Sequence, residues 1–363
     1  MLAVMSSRQK RRYADLSKPK HTWDMRVEIP EAGMRLDRFL CKRVQWRSRN
    51  ELQTSIDEGK VSVDGVLRKA STKLLAKQVV VMSLELPDVL PDPAAIPLDV
   101  LHEDAHLLVL NKRPGIVVHP VGKQQLTSVL SALHARYRNH DDPSKDRVPH
   151  LCHRIDKDTS GVFLVAFDEN VKADVSLQFE DRTVKKEYLA IVHGVPAADE
   201  GAIDAPLLYE IDAWPRVRVD DAGQASRTRW RVERRMRDTA LVRFFPETGR
   251  MHQIRVHAKH MGHVLVCDTS YGGRGPVIDT DAATSPPSAQ TAPPSPLSTP
   301  TADDADVAPL PPDAPPPILA RCALHASKLT VRHPGTGEFV TYEAPLAADM
   351  AAAVEWLADH AGP

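Results

Sequence analysis

The sequence reads as an α+β protein in two folded parts, and three observations say so. Residues 25–87 alternate two short amphipathic helical patterns with short β-branched strand patterns. A proline-rich stretch follows at once, with Pro87, Pro91, Pro93 and Pro97 in close succession. Beyond it come short apolar runs bounded by turn-formers, such as 107–110 and 162–166, interspersed with further helical patterns.

The first part can be taken element by element. Over 34–45, Leu36, Phe39, Leu40 and Val44 fall on one face of a helix. Ser48 opens a second helix, with Glu51 three residues on as a capping box. Leu52 and Ile56 form its inner face, and Gly59 is placed to end it. Residues 61–63 alternate as a strand, Asp64-Gly65 is a hairpin turn, and 79–86 reads as a closing strand. Ahead of this part, residues 1–24 are polar and basic and read as a disordered arm. After it, 88–97 reads as a semi-rigid linker.

The second part, 98–363, begins with a strand at 107–110 that runs into the turn Asn111-Lys112-Arg113-Pro114-Gly115. A helix is expected at 128–138. Then comes a polar loop in which Asp156 sits between Arg154 and Lys157, followed by Gly161 and the apolar strand 162–166. Two readings of Asp156 stand on the residues alone. It caps a turn together with Thr159 and Ser160, or it is a reactive group held by a loop anchored to a rigid strand. A helix at 171–180, strands at 185–192, 201–207 and 225–232, a strand at 339–342 and a helix at 347–359 complete the expected elements.

Composition excludes several classes. Hydrophobic residues make up 42% of 363, enough for a substantial core, yet no apolar run approaches the roughly 18 residues that span a bilayer. The N-terminus lacks the apolar segment of a secretory signal. Cys41, Cys152, Cys267 and Cys322 are scattered without metal or disulfide spacing, which suits reduced thiols in the cytoplasm. His252, His257, His260 and His263 have Arg250 and Arg255 interleaved and no suitably spaced Cys or carboxylate, so no metal site is expected. The net charge of −1 conceals an asymmetry: residues 1–87 carry 18 Lys+Arg against 10 Asp+Glu, whereas 273–317 carry one Arg against six Asp. That second stretch also holds 13 prolines in 45 residues and reads as a disordered insert.

The motifs carry a resemblance. R-L-D-R-F-L followed by S-R-N-E-L-Q-x-x-I-x-x-G-x-V-x-V-D-G resembles the S4 RNA-binding domain, a small α/β fold of the αL type. The resemblance implies that Arg35, Arg38, Lys42, Arg43, Arg47, Arg49 and Lys60 face structured RNA. Ala76-Lys77-Gln78 stands where that family has a Gly-Asp turn. In the second part, N-K-R-P-G-I-V-V-H-P, H-R-I-D-x-x-T-S-G, K-E-Y-L-A-I-V, T-G-R-M-H-Q-I-R-V-H, V-C-D-T-S-Y-G and R-C-A-L-H-A occur in the order found in the RluA-type pseudouridine synthases, in their RluC/RluD-like form. Departures are Ile155 for Leu and Cys267 for Gly.

That resemblance implies a mainly antiparallel sheet with flanking helices and a basic cleft. It implies isomerisation of uridine to pseudouridine in structured RNA, with large-subunit ribosomal RNA favoured over transfer RNA. A non-catalytic ribosome-assembly protein is the alternative from another class. Asp156 would be nucleophile or base, acting without metal or cofactor. Arg255 would pair with it and keep it ionised. Tyr188 would lie against the target base, and Arg154 would fill the space that an extruded base leaves. The expected partner is RNA, not a membrane, and the expected state is a monomer.

Overall fold

The computed structural model describes residues 15–44, 47–84, 89–121, 124–139, 141–142, 145–210, 217–278 and 316–360. The chain divides into two compact units: Met1–Ile96 with His119–Pro149, and Pro97–Val118 with His150–Pro363.

The first unit holds β1 (Thr22–Arg26), α1 (Leu36–Arg43), α2 (Arg49–Asp57), β2 (Val61–Val63), β3 (Val66–Leu67), β4 (Val79–Ser83) and α3 (Val129–Tyr137). Its sheet is antiparallel in the order β1-β4-β2-β3. The expected helical face is the core: Leu36, Phe39, Leu40 and Val44 are fully buried against Leu52, Ile56, Val61, Val63, Val80 and Met82. Each such side chain contributes about 1.5–3 kcal/mol of burial. The capping box is formed, with Ser48 Oγ accepting from Glu51 N–H and the Glu51 carboxylate accepting from Ser48 N–H. Asp64 (φ 51°) and Gly65 (φ 78°) are both left-handed, as the tight turn between β2 and β3 requires. Lys77, in the stretch that stands where the S4 pattern has a Gly-Asp turn, also takes a left-handed φ of 73°, at a cost of about 1 kcal/mol.

Three expectations change here. The arm expected over 1–24 is shorter, because Thr22–Arg26 pairs with β4, Leu16 N–H donates to His134 Nδ1 (3.2 Å) and Lys20 N–H to Gln125 Oε1 (2.9 Å). Residues 1–14 lie outside the described residues. Within the expected linker, Asp92 caps a helical turn at Pro93–Ala95 that lies against α3, and Pro93 and Ile96 are buried. Helix α3, beyond that stretch in sequence, belongs to this unit.

The second unit contains β5 (Asp99–Glu103), β6 (Leu107–Lys112), β7 (His150–Leu151), β8 (Ser160–Ala166), α4 (Glu169–Glu180), β9 (Lys185–His193), β10 (Glu200–Asp204), β11 (Leu207–Tyr209), β12 (Val217–Val219), β13 (Arg227–Arg235), β14 (Thr239–Pro246), α5 (Gln253–His260), β15 (Val277–Ile278), β16 (Pro317–Leu319), β17 (Leu324–Arg332), β18 (Phe339–Glu343) and α6 (Ala348–Asp359). The main sheet runs β10-β13-β14-β9-β17-β8-β6-β5, with β18 on β17 and β7 on β8. Its pairings are antiparallel except β17 with β8. Alternation sets the faces. Ala190, Val192, Val242 and Phe244 point to one side, where Ile254 and Ala258 of α5 cover them. Ile191 and Leu241 point to the other, under Met350, Ala353 and Leu357 of α6. All seven residues of β8 are buried, which accounts for its unbroken apolar run.

The insert expected to be disordered over 273–317 has ordered ends. β15 pairs antiparallel with β16, and Val277 and Leu319 are buried in the cluster under α6. Two apolar residues in register at the base of the loop explain this; residues 279–315 lie outside the described residues.

Candidate active site

The site begins with how β8 starts. β17 pairs parallel to it, with His325 opposite Ser160 and Ala326 opposite Gly161. A Cβ on Gly161 would lie 2.1 Å from the Ala326 carbonyl oxygen, and its φ is +108°. Only glycine fits there. The loop just ahead of it alternates in and out. His153 stacks on Phe179 and accepts from Leu164 N–H through Nε2 (2.9 Å), and burial pulls its pKa down to about 3. It is a neutral structural side chain. Arg154 is exposed, Ile155 is buried, and Asp156 is partly open, its side chain 29% exposed. The turn reading of Asp156 is also realised, but through its backbone, whose carbonyl accepts from Thr159 N–H (3.2 Å). The carboxylate takes no part in that bond.

Two buried cations hold this loop. Lys112, opposite Gly161 on β6, donates Nζ bonds to the carbonyls of Arg113 (2.8 Å), Ile116 (2.9 Å) and Lys157 (2.8 Å). Burial pulls its pKa down to about 7. Arg321 donates Nη1 to the Asp158 carbonyl (2.8 Å). Neither residue stood among the expected site residues, although both lie inside matched motifs.

Tyr188 sits on β9, paired with Phe244 on β14 and Ala326 on β17. Burial, and then the negative charge of Asp156, push its hydroxyl well above the usual tyrosine range. Arg255 comes from the first turn of α5, and its expected ion pair with Asp156 is the looser of two. Its Nε and Nη2 donate in parallel to Asp268 Oδ2 (2.8 Å) and Oδ1 (2.7 Å), while Nη1 stands 3.9 Å from Asp156 Oδ2. The last distance is too long for a hydrogen bond. Its guanidinium also lies over the Tyr271 ring, 4.9 Å from the centroid. Burial works against the charged guanidinium, and the bonds to Asp268 more than offset it, holding the pKa above its ordinary value. The geometry has a reason: Asp268 is fully buried and must be paired, whereas Asp156 retains access to water. Cys267, where the family pattern has Gly, takes a left-handed φ of 60° and donates Sγ–H to the Leu319 carbonyl. The strain is local and Asp268 keeps its place.

Three histidines of this region are bonded to protein groups. His257 lies between Thr228 Oγ1 (2.8 Å) and the Ala205 carbonyl (3.0 Å), His263 Nδ1 donates to the His193 carbonyl (2.9 Å), and His252 Nδ1 meets the Tyr271 hydroxyl (2.8 Å). Elsewhere in this unit, His102, Asp104 and His333 bring three metal-ligating atoms together. However, His333 Nδ1 accepts from the N–H groups of Gly335 and Thr336, so Nε2 carries the proton that it donates to Asp104 (2.8 Å). A metal on Nε2 would turn an Nδ1–H toward those two N–H groups.

In the first unit the basic candidates divide. Arg35 is tied to Asp37, Lys42 and Arg43 to Glu31, Lys60 to Glu58, and Arg47 donates to Ser55 Oγ. Among the described residues, Arg38 and Arg49 are exposed and make no ion pair.

A partly open carboxylate on a loop clamped to a mixed sheet, beside a partly buried tyrosine and an anchored arginine, is in keeping with an RNA-modifying isomerase, and known proteins agree. Residues 106–260 match the RNA pseudouridylate synthase family, and 34–80 match the S4 domain. The chain is 32% identical to the RNA pseudouridine synthase YlyB of Bacillus subtilis, over 92% of this chain and 97% of that one. It is 34% identical to a protein of Nitrosomonas europaea named ribosomal large subunit pseudouridine synthase D, over 93% and 88%. Human RNA pseudouridylate synthase domain containing 4 shares the fold, with a TM-score of 0.51 at 23% identity over 71% of this chain and 92% of that one. The chain belongs to the RNA pseudouridine synthase family, carries an S4 domain, and converts uridine in RNA to pseudouridine. No helix among the described residues is long and apolar enough to cross a membrane.

Proposed function

We propose that this enzyme modifies large-subunit ribosomal RNA in the cytoplasm, as a monomer, with Asp156 as the reacting group. Several bacterial relatives at about a third identity bear the name ribosomal large subunit pseudouridine synthase D, and the S4 match supports a structured RNA. The observation that carries the site reading is the partly open Asp156 carboxylate, with Arg255 3.9 Å away and its negative charge felt by the partly buried Tyr188.

The reaction breaks the bond from N1 to C1′, turns the uracil, joins C5 to C1′, moves the C5 proton to solvent and leaves N1 protonated. Asp156 acts as nucleophile, or as base toward the sugar. Arg255 supplies positive charge near it without occupying its lone pairs. Tyr188 packs against the uracil at the strand junction. Arg154, exposed on the same loop, enters the space the extruded base vacates. The test is tritium release from C5-labelled large-subunit ribosomal RNA, together with pseudouridine mapping in a strain lacking the gene. Asp156→Asn is expected to abolish release while RNA binding persists. Loss of pseudouridine from transfer RNA alone would refute the substrate; full turnover by Asp156→Asn would refute the site.

A further inference from the structure

The Asp156 loop is also anchored from Arg321, a residue to which the sequence reading gave no role. Arg321, between β16 and β17, is 9% exposed, and all five of its N–H groups have acceptors. Nε and Nη2 donate to Asp349 Oδ2 (2.7 Å) and Oδ1 (2.8 Å) as a parallel fork. Nη1 donates to the carbonyls of Asp158 (2.8 Å) and Leu324 (3.2 Å), and Nη2 also reaches Ser160 Oγ (3.1 Å). Ser160 completes the set by bonding His325 Nδ1 (2.9 Å), whose Nε2 faces the Ala344 carbonyl (3.3 Å). Asp349 lies in the first turn of α6 and accepts from Met350 N–H (2.7 Å). A negative charge is favoured at that end of a helix. One planar cation therefore joins the last helix, the start of β17 and two points of the loop, one on either side of Thr159.

We propose that Arg321 is a positioning residue for the isomerisation, transmitting the fixed position of Asp349 on α6 to the backbone that carries Asp156. This rests on the reading of Asp156 as the reacting group. The Asp158 carbonyl taken by Arg321 is next along the chain from the Lys157 carbonyl taken by Lys112. The loop is thus held at two successive peptides by two cations. Its reactive side chain projects one residue before that clamp. A lysine at 321 keeps the charge and loses the fork, because a single ammonium cannot serve Asp349 and the loop together.

The experiment uses the full chain with Arg321→Lys, Arg321→Met and Asp349→Asn. Amide hydrogen exchange is followed in the peptide covering 154–160, and single-turnover tritium release is followed on C5-labelled large-subunit ribosomal RNA transcript. Loop exchange is expected to quicken at least about tenfold while the β9 and β14 amides keep their protection. The single-turnover rate should fall roughly 10- to 100-fold in Arg321→Met, as small misplacements of a reacting group do. Arg321→Lys should recover part of it, and RNA affinity should stay within about twofold. Wild-type loop exchange in a folded variant overturns the proposal, and so does a loosened loop with an unchanged rate. Should Arg321→Met fail to fold, Arg321→Lys and Asp349→Asn decide the matter by the same measures. Should the wild type release no tritium from this RNA, the substrate reading fails, and the exchange measurement still decides whether Arg321 holds the loop.

Discussion

Arg255 gives its parallel fork to Asp268 and only its remaining nitrogen to Asp156, at 3.9 Å. A buried bidentate pair of this kind is costly to break, because the surviving charge is stranded. Asp268→Asn is therefore expected to cost about 3 kcal/mol or more in denaturant unfolding. It should also free Arg255 to close on Asp156, lowering turnover by occupying the carboxylate proposed to react. Asp156→Asn, at a partly open position, should cost well under half as much stability. Equal losses from the two changes would show that Asp156 is the real anchor of Arg255.

Lys112 makes stability depend on pH in a defined direction. Burial lowers its pKa from 10.5 to about 7, so the unfolded chain binds one more proton between those values. Unfolding free energy from this residue should rise with pH across that window, with a slope of up to about 1.4 kcal/mol per pH unit. Below about pH 7 both states are protonated and the contribution is flat. Lys112→Met should lack this slope, and urea unfolding of both proteins from pH 6 to 10 measures it. Parallel curves for the two would mean that Lys112 is not buried as a proton-releasing group.

Val277 and Leu319 mark where the insert joins the core. Replacing residues 279–315 with a short Gly-Ser loop should change the melting temperature little, since closure cost varies slowly with loop length. Val277→Ala should cost about 2 kcal/mol through the cavity it leaves. A large destabilisation by the loop replacement would reveal packing by the insert itself.

Arg38 and Arg49 are the exposed basic residues of α1 and α2 without an ion pair among the described residues. Changing both to Gln should weaken RNA binding and flatten its salt dependence by roughly one to two ions. Lys42→Gln and Arg43→Gln should do less to binding and more to stability, because these two neutralise the buried Glu31, whose pKa their bonds, Arg43's foremost, hold down at about 2. A reversed ranking in filter-binding titrations would move the RNA contact to the Glu31 side of α1.

How much was legible follows the range of the forces involved. The capping box of Ser48 and Glu51, the Asp64-Gly65 turn, the four-residue apolar face of α1 and the buried run of β8 are set by bonds and periodicities within a few residues, and each was readable. The Asp156 loop was readable for the same reason, since Gly161 and the strand behind it are local marks. The docking of residues 15–20 and the membership of α3 in the first unit were not, because they join segments more than a hundred residues apart.

The sequence by itself determined which residues carry charge, where the loop that bears Asp156 lies, and the family. Only the tertiary structure decided who pairs with whom. The resemblance pointed Arg255 to Asp156 alone. Strand order buries Asp268 completely and leaves Asp156 at the edge of water. A carboxylate shut away from solvent must find a cation, so Asp268 takes the fork and Asp156 stays available. The same desolvation drew Lys112 and Arg321 onto the carbonyls of Lys157 and Asp158. No pattern of neighbouring residues encodes such a choice, because it depends on which buried groups the folded sheet brings within about 4 Å of each other.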